Sequence, residues 1–264
     1  MVKSLISVLF FLSFINAQMA LPTFHAVNKP HNTQAESESP QTFSNTGTEE
    51  TFTVPSGVST ITITAYGAAG GESAGGLAGG QGVIIRSSFS VTPGNNLIVF
   101  AGGIGGSTTY GTSGCGTTGC MQGEGGDGSY VSLNGNPLII AGGGGGSVYW
   151  MGNMPGANAS YNENGTSSDN GSANPGTNGN NGSSNNYSEP GNGWNGDPKC
   201  VGGNTKSFNK NGGSGAGGGG YSGGGSGGGG WGGGGGGGSY TDDSGSTQQN
   251  VGYNDGTGQV IISW

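Results

Sequence analysis

The distribution of glycine constrains this chain more than any other feature of its sequence. Glycine accounts for 66 of the 264 residues and is concentrated in tracts, of which 212–238 is the longest. Glycine brings no side chain to a core and loses more backbone entropy on folding than any other residue. Only 30% of the residues are hydrophobic, so a large aliphatic core is not expected. The chain is therefore either a disordered polymer or a lattice held together by its backbone.

The position of the glycine tracts favours a lattice. Seven segments have the β-branched and aromatic residues typical of strands, namely Thr51–Pro55, Ser59–Tyr66, Val83–Val91, Leu97–Ala101, Tyr130–Leu133, Leu138–Ala141 and Gln259–Trp264. Glycine tracts start directly after three of them, at Gly67, Gly102 and Gly142. A flexible linker needs no such placement. We therefore expect the tracts to leave one β scaffold from a common origin.

Polyglycine can adopt the polyproline II geometry, which has three residues per turn and no hydrogen bonds within the helix. Its amides and carbonyls then point outwards, and buried backbone groups must be paired. Helices of this kind pair with one another when they pack side by side, which requires glycine because a Cβ would hold neighbours apart. The sequence therefore predicts a mainly β fold with an inserted bundle of polyglycine II helices, in which 212–239 is the polyglycine tract.

Two bulky residues, Tyr221 and Trp231, interrupt the longest tract. A large side chain fits a threefold helix only where that edge faces away from the bundle. We expect both on a contact rim of the bundle, with packing against the β scaffold as the open alternative. Strict Gly-X-Y periodicity and abundant proline are missing, which excludes collagen.

Turn residues separate several of the predicted strands. Pro55–Gly57, Thr92–Asn95 and Asn134–Pro137 each combine proline, glycine or asparagine in patterns typical of chain reversals. We expect a short hairpin at each of the three. The final strand lies far from the others in sequence and is expected to return to pair with them. The residues from Ser147 to Gly258 would then form one insertion in the β scaffold.

The first residues have the composition of a secretory signal peptide. Lys3 precedes an apolar run, Leu5–Ile15, and the small residue Ala17 is suited to cleavage. We therefore assign 1–17 as a signal peptide, 18–47 as a flexible arm without strand or helix periodicity, and 48–264 as a glycine-rich domain. No later stretch has the length and apolarity of a membrane span. The expected location is secreted and extracellular.

The segment 152–199 is rich in Asn, Ser and Gly and lacks strand or helix periodicity, so we expect an exposed loop. It contains the glycosylation acceptors Asn158, Asn164, Asn170, Asn181 and Asn186, each in an N-x-S/T sequence. Such acceptors also arise by chance in a loop of this composition. Whether they carry glycans depends on the host.

The charged residues point away from nucleic acid and from catalysis. Six Lys and Arg stand against fourteen Asp and Glu, so the chain lacks a basic surface for phosphate backbones. Both histidines, His25 and His31, lie in the expected flexible arm, which offers no rigid site for a general base or a metal. The adjacent Asp242 and Asp243 are typical of a solvated turn. We expect no enzyme activity, no cofactor and no metal.

The chain has three cysteines, so at least one of them has no partner within the chain. Cys115 and Cys120 flank a short glycine-containing loop that can close a disulfide. Metal binding is the rival interpretation, but a pair of cysteines without a nearby histidine is a poor zinc site. Cys200 is free, capped or bonded to another chain.

Four blocks of the sequence carry a resemblance to a known family. ITAYGAAGGESAGG, GVIIRSSFSVTPGNNLIVFAGGIGG, PLIIAGGGGG and the tract 212–238 resemble, in that order, the glycine-rich extracellular region of anaplastic lymphoma kinase and leukocyte tyrosine kinase. The resemblance covers Thr48 to Trp264. It implies a tumour-necrosis-factor-like β-sandwich scaffold with an inserted bundle of polyglycine II helices, within a cytokine-binding ectodomain.

The family resemblance also bears on the cysteines. Cys115 and Cys120 match a cysteine pair of the family, which implies the same disulfide. Cys200 matches a family cysteine whose partner lies in the following glycine tract, but here that neighbourhood holds Tyr221 instead. No kinase domain or membrane span accompanies the region in this sequence, so receptor signalling is not carried over.

Two functional hypotheses follow from the sequence. The first is a secreted, non-enzymatic structural or adhesive protein that presents an extracellular binding surface. The alternative is a soluble ligand-binding module similar to the cytokine-binding ectodomain. Expected partners are an extracellular protein or glycan surface, with self-association, through Cys200 for example, as an open alternative.

Overall fold

The computed structural model describes residues 39–74, 76–110, 120–150, 152–167, 173–206, 213–228, 231–242 and 247–264. Within these ranges the protein is mainly β, with antiparallel sheets and no helix. In chain order the strands are β1 (Gln41–Ser44), β2 (Glu50–Thr53), β3 (Thr60–Tyr66), β4 (Gly82–Ser90), β5 (Asn96–Phe100), β6 (Ser107–Tyr110), β7 (Cys120–Gly123), β8 (Ser129–Leu133), β9 (Asn136–Ala141), β10 (Val148–Trp150), β11 (Gly152–Met154), β12 (Tyr240–Thr241), β13 (Gln249–Asn254) and β14 (Gln259–Ser263). The predicted signal peptide lies outside the described residues, as does the arm up to residue 38.

The strands form three sheets. The front sheet has the order β1-β14-β3-β4-β13, the back sheet β12-β9-β8-β5-β2, and a smaller sheet β11-β10-β7-β6. In the front sheet, Ile61, Ile63 and Ala65 alternate with more exposed threonines along β3, so one face of the sheet is apolar. The seven strands expected from the sequence are all present as β2, β3, β4, β5, β8, β9 and β14, within one or two residues of the expected bounds.

The front and back sheets face each other across one hydrophobic core. Buried residues of both sheets form it: Phe43, Ile61, Ile63, Ala65, Val83, Ile85, Phe89, Val260 and Ile262 from the front sheet, and Phe52, Leu97, Val99, Val131, Leu138, Ile139 and Ala141 from the back sheet. At one edge of the core the ring of Phe52 packs 5.4 Å from Trp264 and 6.4 Å from Phe43, measured between ring centroids. These aromatic contacts link the outer strands of the two sheets.

One of the three predicted hairpins is confirmed. Asn134 and Gly135 connect β8 to its neighbour β9 with φ values of 53° and 79°. Both lie in the left-handed region, the backbone that a two-residue hairpin turn requires and that Asn-Gly adopts readily. The other two hairpins are wrong, because Pro55–Gly57 and Thr92–Asn95 each connect a strand of one sheet to a strand of the other. Turn residues reverse the chain without selecting the strand that the next segment pairs with.

The return of the last strand is confirmed, since β14 lies between β1 and β3. Two other expectations about the ends of the domain are wrong. Residues 41–44 of the expected flexible arm form β1, which pairs with β14 and buries Phe43. The insertion between Ser147 and Gly258 is not separate from the scaffold, because β12 joins the back sheet and β13 joins the front sheet.

Glycine segments outside the strands pack together in what we call the glycine core, which comprises 67–71, 79–81, 124–128, 142–146, 213–220, 223–228 and 232–238. The hydrogen bonds that join the same two segments recur every three residues along each segment. Gly143 and Gly146 donate to the carbonyls of Gly219 and Ala216, and both of these bonds are 2.8 Å long. Gly237 and Gly234 donate in turn to the carbonyls of Gly143 and Gly146, again at 2.8 Å.

The segment 152–199 is not the exposed loop that its composition predicts. Ala159, Ala173 and Ser188 are buried, and the Ala157 amide donates to the Gly234 carbonyl at 2.8 Å. The segment thus adds further extended stretches to the outside of the glycine core. Its Asn and Ser side chains face outwards at many positions, which gives it a polar composition although much of its backbone is paired.

Close approach explains why glycine is required in this core. A Cβ on Gly145 would overlap the carbonyl oxygen of Gly234, and one on Gly70 would overlap the carbonyl oxygen of Gly145. Neither glycine has a positive φ, so the requirement is steric and does not come from the backbone conformation.

We predict that Gly145→Ala lowers the free energy of unfolding by about 3 kcal/mol or more, because the added methyl group forces two packed backbones apart. The matched control is Gly252→Ala in β13, where an added Cβ meets nothing within 4 Å. This control should change stability by less than about 1 kcal/mol, towards greater stability. Chemical denaturation of both variants measures the difference, and equal effects would contradict the close-packed core.

Candidate functional site

A second cluster of apolar side chains lies beside the glycine core. Phe100, Tyr130, Ile140 and Cys200 are buried in it, and the partly exposed Trp194, Tyr221 and Tyr240 pack against them. We call this group the aromatic cluster. Phe100 and Tyr130 stack at 5.2 Å, and Trp194 meets the Tyr130 ring edge-on at 5.2 Å. The cluster therefore joins the back sheet to residues of the segment 152–199 and of the polyglycine tract.

The outer side of the aromatic cluster is a stacked pair of tyrosines. The rings of Tyr221 and Tyr240 lie 4.6 Å apart and within 20° of parallel, and both side chains are half-buried. The backbone holds Tyr221 in place, because its amide donates to Gly238 and its carbonyl accepts from Trp194, both at 2.8 Å. Tyr221 thus lies at the edge of the glycine core and also packs towards the scaffold. Trp231 is half-buried at a separate turn.

A cleft of about 500 Å³ opens beside Tyr240, between Tyr161–Glu163 and Ser239–Asp242, with Gln248 on its wall. Its walls are braced by hydrogen bonds. Gln248 accepts from the Thr241 hydroxyl at 3.0 Å and donates to the Tyr161 carbonyl at 3.0 Å. The cleft is therefore a preformed surface with both aromatic and polar groups.

The electrostatics of the cleft are acidic. Glu163 and Asp242 line it, whereas the described basic residues Arg86, Lys199 and Lys206 do not. Burial, and to a smaller extent the charge of Glu163, raises the pKa of Tyr221. Tyr221 thus stays neutral at physiological pH and offers a hydroxyl group that both donates and accepts hydrogen bonds.

Polar groups in and beside the aromatic cluster connect neighbouring segments of the chain. The Asp127 carboxylate accepts hydrogen bonds from the Gly103 amide at 3.0 Å and the Gly202 amide at 2.8 Å. Burial raises the pKa of Asp127 in spite of these two bonds, which lower it. The Tyr130 hydroxyl donates to the Glu49 carboxylate. Burial raises the pKa of Tyr130, and the neighbouring Glu49 carboxylate raises it further. These groups have structural partners and hold neighbouring segments together.

Cys200 is a free thiol with 0% exposure in the interior of the aromatic cluster. Burial raises the pKa of the Cys200 thiol well above its ordinary range. A bond from Cys200 to another chain would require a surface that this residue does not reach. Burial thus favours a free Cys200 over one bonded to another chain, and the prediction below tests the choice.

The other predicted site residues are distributed along the edge of the domain. Asn158, Asn164, Asn181 and Asn186 are exposed, as glycan acceptors must be. The Asn158 and Asn181 side-chain oxygens accept from the amides of Gln81 and Gly193, both at 2.8 Å, which leaves the amide nitrogens for attachment. Asn170 lies outside the described residues. Cys115 does too, so its predicted disulfide with Cys120, a buried residue of β7, stays a prediction.

Sequence reasoning singled out Tyr221 but missed the groups that make it part of a site. Tyr161, Glu163 and Trp194 lie in the segment interpreted as a loop, and Tyr240 follows the polyglycine tract. Their one sequence signal is the presence of aromatic residues in a segment that is otherwise Asn, Ser and Gly. A segment that buries part of its chain needs such residues, whereas a fully exposed loop does not.

The described residues contain no group of three or more His, Cys, Asp and Glu side chains that could hold a metal ion. Within the same ranges, no helix has the length and apolarity needed to cross a membrane. Comparison of the chain with protein-family models and with curated proteins gave no match.

We predict that the Cys200 thiol of the native chain reacts with a disulfide reagent such as Ellman's reagent only after denaturation, because burial keeps it protonated and inaccessible. The measurement is the rate of thiol release in buffer and in guanidinium chloride, with Cys200→Ala as the control that removes the signal. Rapid reaction of the native chain, or a covalent dimer on a non-reducing gel that Cys200→Ala abolishes, would contradict the buried thiol.

Proposed function

We propose that this chain is a secreted, non-enzymatic structural or adhesive protein whose glycine-rich domain presents an extracellular binding surface. Its β sheets form a tumour-necrosis-factor-like sandwich, and the glycine core is a bundle of polyglycine II helices. Hydrogen bonds that recur every three residues support the helical geometry, because polyproline II has three residues per turn and no internal hydrogen bonds. The apolar core shared by the front and back sheets supports the sandwich.

The tyrosine pair beside the acidic cleft is the observation that carries the proposal. Tyr221 and Tyr240 present stacked rings, and the neighbouring cleft adds carboxylate, amide and hydroxyl groups. Aromatic rings supply apolar contact area at low entropic cost, and the polar groups supply directional hydrogen bonds. This combination suits the apolar ring faces and the hydroxyls of a glycan, or a polar protein surface.

The backbone construction makes the surface rigid. Tyr221 is positioned by hydrogen bonds to Gly238 and Trp194, and the glycine core behind it has few rotatable side chains to order. Rigid presentation reduces the entropy lost when a partner binds. A lattice that needs many glycines and few apolar residues thus supports a binding face without a large hydrophobic core.

The burial of Cys200 favours the second candidate function, a soluble ligand-binding module. It removes the covalent route to multimers that the sequence analysis left open. Sedimentation of the secreted protein separates the two candidates. A structural protein forms concentration-dependent multimers, whereas a soluble module stays monomeric and captures one defined extracellular partner.

We predict that the backbone amides of 215–219 and of Gly234, Gly235, Gly237 and Gly238 exchange with deuterium as slowly as those of β4, because they donate to carbonyls of neighbouring segments. Hydrogen–deuterium exchange with mass spectrometry measures this. The turn glycine Gly57, which has open space around it, is the fast-exchanging internal reference. Exchange at 215–219 as fast as at this turn would contradict the polyglycine bundle.

We predict that replacing both Tyr221 and Tyr240 by alanine weakens capture of the extracellular partner at least tenfold, or about 1.4 kcal/mol. The measurement is binding of the secreted chain to a glycan array and to purified matrix proteins. Tyr187→Ala is the matched control, since Tyr187 is half-buried and belongs to neither the aromatic cluster nor the cleft. Equal binding by the double variant and the wild type would place the binding surface elsewhere.

A further inference from the structure

A second concave surface lies on another part of the glycine core. It is a groove of about 800 Å³, and half of the residues that line it are small, namely Ala69, Gly70, Ala78, Gly79, Gly156 and Ala157. We call it the backbone groove, because none of these residues has a side chain larger than a methyl group. No aromatic residue is among the described residues that line it. At these six positions the groove offers a ligand only peptide groups and methyl groups, whereas Gln81, Pro155 and Asn158 add larger side chains to the lining.

The hydrogen-bond network of the glycine core reaches the backbone groove and stops there. Gly80 donates to Gly145, Gly145 to Ala157, and Ala157 to Gly234, with lengths of 2.7, 3.0 and 2.8 Å. The adjacent Gly79 and Gly156 lie at the groove, partly exposed, and their amides and carbonyls have no hydrogen-bond partner in the described part of the chain. Two neighbouring segments thus bring unpaired backbone groups to the lining of the same groove.

These features define the shape and chemistry of an occupant. In a lattice of threefold helices, the place beside an outer helix suits another extended chain, because its peptide groups can pair with the unpaired ones of that helix. A Cβ is not tolerated where such segments pack closely, as at Gly70 and Gly145 in the core. The occupant is therefore an extended peptide in which glycine predominates.

The rim of the groove adds two further constraints. Glu72 and Asp255 line it, which favours a peptide with basic flanking residues. Ile104, which also lines it, is 54% exposed and offers an apolar contact. The chain's own described tract, 213–228 and 231–239, is buried apart from Tyr221 and Trp231, so this tract of a second copy is not available as the occupant.

We propose that the backbone groove binds a glycine-rich extended segment of a different extracellular protein, which adds one more helix to the bundle. The proposal rests on the polyglycine II geometry proposed above and assigns a partner class to a surface distinct from the tyrosine pair. Recognition is by backbone hydrogen bonds to Gly79 and Gly156, with apolar contact at Ile104.

The test is isothermal titration of the full chain with a peptide of about nine glycines, three turns of a threefold helix, flanked by two lysines at each end. We expect saturable binding. The matched control peptide contains sarcosine in place of glycine, which keeps the absence of side chains and the lysines but removes the amide donors. We expect it to bind at least tenfold more weakly.

Two variants locate the peptide. Ala78→Trp fills the groove from an exposed position and should weaken binding at least tenfold, whereas Thr51→Trp, on the exposed side of β2, should leave it unchanged. Absence of saturable binding, equal binding by Ala78→Trp, or equal binding of the sarcosine peptide would each overturn the proposal. If the chain binds no peptide but the amides at 215–219 exchange slowly, the proposal for the groove is wrong and the proposed polyglycine bundle is still supported.

Discussion

The structure depends on hydrogen bonds between extended backbones that lie close together because they have no side chains. Gly145 illustrates the constraint, since it donates to Ala157, accepts from Gly80, and has no room for a Cβ beside the Gly234 carbonyl. An unpaired buried amide or carbonyl costs roughly 1–3 kcal/mol. Each buried peptide group of the glycine core therefore needs a partner on a neighbouring segment. The large entropic cost of ordering glycine is offset by a network in which nearly every interior peptide group has a partner.

The two β sheets and the glycine core meet where strands end and glycine begins. Tyr66 closes β3 and Gly67 starts a core segment, and the same change occurs after Ala141 of β9. Apolar burial and backbone pairing thus stabilise adjacent parts of one domain. The aromatic cluster lies at the junction of the two and fills the space that polyglycine, without side chains, leaves beside the back sheet. For this reason its outer tyrosines are both anchored and accessible, as the proposed binding surface requires.

Several local elements were predictable, and the errors have specific physical causes. The Asn134-Gly135 hairpin followed from the left-handed backbone that its turn needs. Pro55–Gly57 and Thr92–Asn95 are equally good turns, but they carry the chain across to the opposite sheet. The segment 152–199 was misassigned because exposed Asn and Ser conceal a paired backbone. The candidate site was predictable only at Tyr221, since its partners Tyr240 and Trp194 are 19 and 27 residues away in the chain.

The sequence alone indicates the positions of half of the described strands, the segments in which glycine must replace larger residues, and the lack of a large aliphatic core. These properties follow from side-chain size and β propensity, which are local. Only the tertiary structure decided which sheet each strand joins, that residues 41–44 form an edge strand, and which tyrosines meet. Backbone amides and carbonyls are the same in every residue, so the sequence of a glycine segment carries little information about which neighbour it pairs with. That choice is made by the packing of the whole domain.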